Sequence, residues 1–312
     1  MLRRFKILFF TVFLSCSTEQ MPFDLGVYPN MDYPVDNPEN SQVAALGEAL
    51  FFDPILSRDS SISCGSCHKP EYAFADHLAI TPGVNGITST RNSPTLLNVG
   101  YHPYFMREGG VPSLEMQVLV PLQEETEMHH NLLDAVARLN DSPYKNQFLQ
   151  TFGDTVASFN LVRALANYER TLIDFSRPID LLQLDAKPIS DQGYKGGQLF
   201  FDKAGCAQCH NGPLFTDFSF TNNGTPINFT QDIGKERLTN EESDRYTFMV
   251  PSLKHVALTP PYMHDGSILT LQEVIEQYNR GAEGHAYQDA RIEPLGLSKK
   301  ECDQLLAFLE AL

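Results

Sequence analysis

The chain has 312 residues, 42% hydrophobic and 20% charged, enough to bury the cores of two domains of ordinary size. Its formal charge of -16 argues against nucleic acid or an anionic membrane surface as partner and favours a basic docking partner. It contains no tryptophan, which closes any route that needs an indole.

At the start, Arg3, Arg4 and Lys6 precede an apolar run from Ile7 to Leu14. This is the pattern of an export signal over residues 1–16, and the run is too short for a membrane span. Cys16 follows Phe13-Leu14-Ser15 as in a lipoprotein processing site, which predicts a lipid anchor and a periplasmic address. The alternative is a simple cleaved signal with Cys16 incidental. Residues 17–40 are rich in Pro, Asn, Asp and Ser and read as a linker.

A helix is predicted from Gln42 to Phe51, with Val43, Leu46, Leu50 and Phe51 on one face and Asn40 or Ser41 as cap. It ends in Leu50-Phe51-Phe52-Asp53. A second helix begins near Ser190 and ends in Leu199-Phe200-Phe201-Asp202, and Gly47 and Gly196 match as well. This is an internal duplication. Downstream of each helix stands Cys-x-x-Cys-His, as Cys64-Gly65-Ser66-Cys67-His68 and Cys206-Ala207-Gln208-Cys209-His210. The motif is the attachment signature of a c-type haem: two thiols add to the vinyl groups and the histidine binds the iron. A redox dithiol, a zinc half-site or a disulfide would use the cysteines without the histidine, yet both copies carry it. The fold expected is mainly α: two cytochrome-c-like helical domains with long loops, at 41–185 and 186–312, each with one covalently attached haem.

Between the motifs, Lys69 to Pro112 is a long stretch full of Gly, Pro, Asn and Ser, of the kind that forms a functional pocket. Helices are then predicted over 113–120, 131–139, 143–151 and 156–174. After a second loop-rich region, Thr270 with Glu273 and Ser298 with Glu301 form capping boxes that open the last two helices. Few strands are expected. Cys302 falls within the last helix as a small buried hydrophobe.

Several segments, in order, carry a resemblance. They are Ile62-Ser63-Cys64-Gly65-Ser66-Cys67-His68, Arg91-Asn92-Ser93-Pro94-Thr95-Leu96-Leu97-Asn98, Ser113-Leu114-Glu115-Met116-Gln117, Thr126-Glu127-Met128, Cys209-His210-Asn211-Gly212-Pro213-Leu214-Phe215-Thr216-Asp217 and Pro261-Tyr262-Met263-His264-Asp265-Gly266. Over residues 41–312 the chain resembles the bacterial dihaem cytochrome c peroxidase family, including its MauG-type branch. The resemblance implies an enzyme in which hydrogen peroxide reacts at the N-terminal haem while the C-terminal haem handles electrons. The donor would be a small cytochrome c or cupredoxin, or a protein substrate would be oxidised. Members of the family often form homodimers.

By the same resemblance, Glu127 and Gln117 line the distal pocket of the first haem and move a proton between the peroxide oxygens. Read from the residues alone, Glu127 belongs to a solvated acidic run, and His129 and His130 are surface residues, either of which could rival it as base. Many members place a histidine on the distal iron. Here that position is Val84, which cannot bind iron, so the first haem is expected to be open without prior reduction. His77, nine residues after His68, could swing onto the iron instead; the plainer reading is a histidine on a loop surface.

The second haem's distal position matches Tyr278, as in MauG-type members. Leu271, Val274, Ile275 and Tyr278 share a helical face, so a core tyrosine is the plain alternative, with Met249 and Met263 as rival ligands. A calcium ion is also implied, on the side chain of Asn92 and the carbonyls of Thr259 and Pro261. Where the family has a tryptophan between the haems, this chain has Arg107, which excludes an oxidised-tryptophan relay. Electrons would tunnel directly or use Tyr101, Tyr104 or Phe105.

Overall fold

The computed structural model describes residues 25–182, 189–225 and 232–312. The signal segment and Cys16 lie outside the described residues. Twelve helices carry the described chain: α1 (Ser41–Phe52), α2 (Cys64–Cys67), α3 (Leu114–Gln117), α4 (Leu119–Gln123), α5 (Leu132–Asn140), α6 (Tyr144–Phe152), α7 (Ser158–Glu169), α8 (Pro178–Leu182), α9 (Asp191–Phe201), α10 (Glu236–Thr239), α11 (Leu271–Asn279) and α12 (Lys299–Leu309). The only strands among the described residues are β1 (Phe220–Thr221) and β2 (Phe248–Met249), paired antiparallel.

The helix starts are set by side chains that satisfy the free N–H groups of a first turn. Asn40 Oδ1 accepts from Gln42 and Val43 N–H, and Ser190 Oγ accepts from Gly193 N–H. Both expected capping boxes form, Thr270 with Glu273 and Ser298 with Glu301. The helix expected over 156–174 is shorter, and the chain leaves it after Glu169.

Burial divides into two cores. The first spans residues 43–172 and includes Leu50, Phe51, Leu114, Phe148 and Leu161, all sealed from solvent. The second includes Phe200, Phe215, Phe308 and Leu312. Each such side chain contributes about 1.5–3 kcal/mol relative to exposure. Ile179 of α8 packs in the second core, so the change of domain falls ahead of α8, earlier than residue 185.

The stretch expected as a linker is docked from Leu25 onward. Leu25 is buried in the second core. Tyr28 stacks on Phe175 at 3.8 Å, and its hydroxyl donates to Asp180. Asp36 pairs with Arg163, and Asn37 Nδ2–H donates to Glu115 at 2.7 Å. The strap thus runs from the second core across to the first.

Each core is organised by one crossing of two helices, α1 on α7 and α9 on α12. A Cβ placed on Gly47 would stand 1.9 Å from Ala164 O, and one placed on Gly196 would stand 1.9 Å from Gln304 O. The backbones therefore touch where the glycines lie. Beside each contact an aromatic pair closes the crossing, Phe51 with Tyr168 and Phe200 with Phe308, both at 5.1 Å between centroids.

The duplication extends into the loops. Asn98 N–H donates to Leu172 O at 2.7 Å, and His255 N–H donates to Leu312 O at 2.9 Å. Phe105 pairs with Val111 as Tyr262 pairs with Ile268. Across the domain interface, Met249 N–H donates to Arg107 O at 2.7 Å, while Asn92 N–H donates to His264 O at 2.8 Å. In this register Asn92 corresponds to Met249 and Arg107 to His264. The two bonds are the same bond exchanged between copies, as an approximate two-fold axis requires.

Gly196→Ala is expected to destabilise the protein by about 1–3 kcal/mol through overpacking at the α9–α12 crossing. Urea denaturation reads it, and an unchanged midpoint would refute the backbone contact.

Candidate haem sites

The thiols of Cys64 and Cys67 lie on the short helix α2, whose N-cap Ser63 forms a capping box with Ser66. His68 follows directly. Its Nδ1–H donates to Phe74 O at 3.0 Å, because a carbonyl can only accept, and this leaves the Nε2 lone pair free. His210 repeats the arrangement, with Nδ1–H donating to Phe215 O at 3.0 Å. A second clamp is shared: Thr95 Oγ–H donates to Ala73 O at 2.5 Å, and Ser252 Oγ–H donates to Leu214 O at 2.6 Å. The proximal loops are fixed alike in both domains. All four motif cysteines are free thiols in the structure, and burial raises Cys67 and Cys206 to about 12.

Half-buried thiols in pairs, each followed by an imidazole with its Nε2 left unbonded, fit a covalently held haem. In the second domain a cavity of about 290 Å³ opens on Cys206, Cys209, His210 and Tyr278. The structure thus brings Tyr278 to the same cavity as His210. The Tyr278 hydroxyl accepts from Asn223 Nδ2–H at 3.2 Å, and the same amide lies 3.3 Å from Met263 Sδ. Burial pushes the Tyr278 phenol up to about 12 and the bond from Asn223 pulls it back. Met249 and Met263 line this cavity too. Asn223 is a residue that no sequence signal pointed to.

In the first domain, the carboxyl of Glu127 lies within electrostatic reach of both Cys64 and Cys67. Burial, with a smaller push from Glu124, raises it to about 7. The residue is half-buried beside the exposed Glu124 and Glu125, and among the described residues no donor bonds its carboxyl. Gln117 closes α3 with its Oε1 buried and without a partner. Val84 is buried, and its N–H donates to Glu127 O at 2.8 Å, which ties the predicted distal position to the acid.

The neighbouring histidines are otherwise engaged. His130 is not a surface residue: it is buried, and its Nδ1–H donates to Leu56 O at 2.9 Å. His129 Nδ1 accepts from Arg58 at 3.4 Å. His77 is exposed, stacks on Tyr72 at 3.7 Å and donates to Leu258 O at 3.2 Å. Neither of the first two is a free base, and His77 is held on the loop surface.

Asn92, Thr259 and Pro261 line the same cavity as His210. Asn92 Nδ2–H donates to Leu78 O at 2.9 Å, which leaves Oδ1 open. Neutral oxygens of this kind suit a hard cation. No group of three or more His, Cys, Asp or Glu among the described residues is placed to hold a metal. Arg107 lines the cavity as well, and Tyr104 reaches across the interface, stacked on Phe220 at 5.3 Å.

Two alike domains, each presenting paired thiols and a histidine, define a two-centre c-type haem protein. Residues 41–186 match the family described as di-haem cytochrome c peroxidase. The chain is 35% identical over 287 residues to the methylamine utilization protein MauG of Methylorubrum extorquens, covering 91% of this chain and 81% of that protein. It is 35% identical over 324 residues to the cytochrome-c peroxidase IdrP1 of a Pseudomonas species, covering 92% and 85%. Its fold superposes with a TM-score of 0.86 and 29% identity on a crystal structure of a MauG-like protein associated with microbial copper homeostasis, covering 91% and 93%. The chain belongs to the bacterial dihaem cytochrome c peroxidase family, in its MauG-type branch, and is a peroxidase-type oxidoreductase. Membership of this family implies two haem c groups.

The wild type is expected to show two covalent haems per chain by pyridine haemochrome assay. A Cys206→Ala/Cys209→Ala double variant should retain one. Full retention of both would contradict the assignment of the second motif.

Proposed function

We propose that the protein reduces hydrogen peroxide in the N-terminal domain with electrons delivered through the C-terminal domain. The observation that carries this reading is the Glu127 carboxyl: raised to about 7, without a protein donor, and facing the Cys64–Cys67 motif. When bound, the two haems supply the iron at which peroxide is reduced and the centre through which electrons enter. The chain's own residues do the rest. Val84 leaves the distal side of the His68 site without a protein ligand. Glu127 would take a proton from one peroxide oxygen and return it to the other, while Gln117 would hold the peroxide by its side-chain amide. Tyr278, together with His210, would hold the haem of the C-terminal site. The oxygens of Asn92, Thr259 and Pro261 would hold a calcium ion.

The donor is a small cytochrome c or cupredoxin with a basic docking face, matched to the charge of -16. The setting is the periplasm, with a lipid anchor at Cys16. No helix among the described residues is long and apolar enough to cross a membrane.

A second reading, oxidation of side chains on a partner protein, is favoured by Val84 and Tyr278 together. Arg107 weighs against it, since the tryptophan relay such chemistry leans on is missing. Catalytic peroxide-dependent oxidation of a reduced donor protein, with the donor recovered unmodified, supports the first reading. Stoichiometric covalent change in the partner would support the second.

The acid–base role fixes a pH dependence. A carboxyl raised to about 7 is protonated below that pH and cannot take the peroxide proton; above it the carboxylate can. The bimolecular rate with peroxide, followed by stopped flow, should therefore rise through about pH 7 and level off. Glu127→Gln should lower it by about 10²–10⁴-fold and remove the rise. Undiminished reactivity in that variant would overturn the assignment.

A further inference from the structure

Arg107 occupies the interface between the two haem-binding domains, and its bonds reach both proximal loops. Its Nη2–H donates to Asn92 O at 2.9 Å, two residues ahead of Pro94, whose carbonyl faces the His68 ring. Its own carbonyl accepts from Met249 N–H at 2.7 Å, two residues ahead of Pro251, whose carbonyl faces the His210 ring. The side chain lines the cavity that holds Cys206, Cys209 and His210. Its Nε is shut away from solvent and donates to nothing.

A guanidinium in this setting needs an anion. The nearby carboxylates do not pair with it. Glu108 is paired with Arg91 at 2.6 Å and with Arg237, Asp232 is paired with Arg91 at 2.6 Å, and Asp265, which accepts from Ser267 N–H at 3.1 Å, acts on Arg107 from beyond ion-pair distance. Among the described residues Arg107 has no ion pair. Its counterpart in the other repeat, His264, stacks on Phe248 at 4.2 Å and is electrostatically opposed by Arg107 itself. The other cation on the cavity wall, Arg291, is held by Asp289 at 2.8 Å and lies within electrostatic reach of Cys209, at the thioether edge. Covalent attachment through Cys206 and Cys209 would fix one edge of the porphyrin there and leave its two carboxylates for the rest of the cavity wall. Of the two arginines on that wall, Arg107 is the one without an ion pair among the described residues.

We propose that Arg107 is a positioning residue whose guanidinium pairs with the haem carboxylates of the C-terminal site and sets that site's reduction potential by a fixed positive charge. A planar fork of donors matches a carboxylate in two bonds. A cation held there favours the reduced, less positive iron, and it keeps the haem carboxylate ionised by opposing the upward shift that burial imposes. In a chain without tryptophan, the interface position is then used to bias the acceptor rather than to relay electrons.

The inference rests on the reading that a haem is attached at Cys206, Cys209 and His210. The test is spectroelectrochemical titration of the full-length, haem-loaded protein at calcium saturation, with Arg107→Gln and Arg107→Lys beside the wild type. Haem content comes first: a wild type with one covalent haem refutes the attachment reading itself. With both haems present, Arg107→Gln should lower the midpoint of the C-terminal haem by about tenfold in its one-electron equilibrium, ~59 mV, and Arg107→Lys should restore most of it. In the wild type the midpoint should be flat from about pH 6 to 8, and in Arg107→Gln it should fall as pH rises through that window as a carboxyl of burial-raised pKa ionises. An unmoved midpoint in Arg107→Gln, an equal loss in both variants, or a wild-type midpoint that already falls across the window overturns the proposal. The wild-type measurement stands even where the glutamine variant does not accumulate.

Discussion

Two glycines decide this architecture. Only a residue without a Cβ lets α1 lie on α7, and α9 on α12, with backbone touching backbone, since a Cβ at either position would stand 1.9 Å from a carbonyl oxygen. That closeness brings the aromatic residues one turn on, Phe51 and Phe200, into contact with Tyr168 and Phe308. The far end of each crossing then supplies Leu172 O and Leu312 O, which receive the N–H groups of Asn98 and His255 and so anchor the loops that run past the proximal histidines. The proximal imidazoles are bonded to Phe74 O and Phe215 O, and Thr95 and Ser252 of those loops clamp the adjoining Ala73 and Leu214. Crossing, loop and histidine form one mechanical unit, and the chain builds it twice.

The two units share a proximal side and differ on the distal one. In the first domain the predicted distal position is an aliphatic residue whose N–H donates to Glu127 O, and Gln117 Oε1 is buried without a partner. Around His210 the cavity contains a phenol already tied to Asn223 and two thioethers. On the proposed reading the first site leaves room for a reactant and an acid–base group, while the second is furnished with ligands. The approximate two-fold axis places them back to back, with Arg107 and His264 exchanging places across it.

Much of this was legible in the sequence because it depends on local chemistry. Cys-x-x-Cys-His, the Phe-Phe-Asp helix ends, Gly47 with Gly196 and the two capping boxes are short-range patterns, and each stands where it was expected. What escaped depends on contacts between distant segments. The strap from Leu25 to Asn40 carries linker-like composition, yet it docks through single anchors such as Tyr28 and Asn37 that leave no periodic signal. The repeat of the loops was hidden because its anchors are backbone hydrogen bonds, which do not constrain residue identity: Asn92 answers to Met249 and Arg107 to His264. His130 looked exposed in an acidic run, but a turn folds it under Leu56. Asn223 reaches Tyr278 from a loop with no motif at all.

The central claim is that one domain has an open distal side and the other a closed one. Low-temperature EPR of the as-isolated ferric protein, repeated after peroxide is added, tests it most directly. The account predicts one high-spin signal from the His68 site and one low-spin signal from the His210 site, with the high-spin signal lost on peroxide addition without prior reduction. Two low-spin signals that respond to peroxide only after partial reduction would contradict it, and would mean that a side chain such as His77 leaves the surface to close the site.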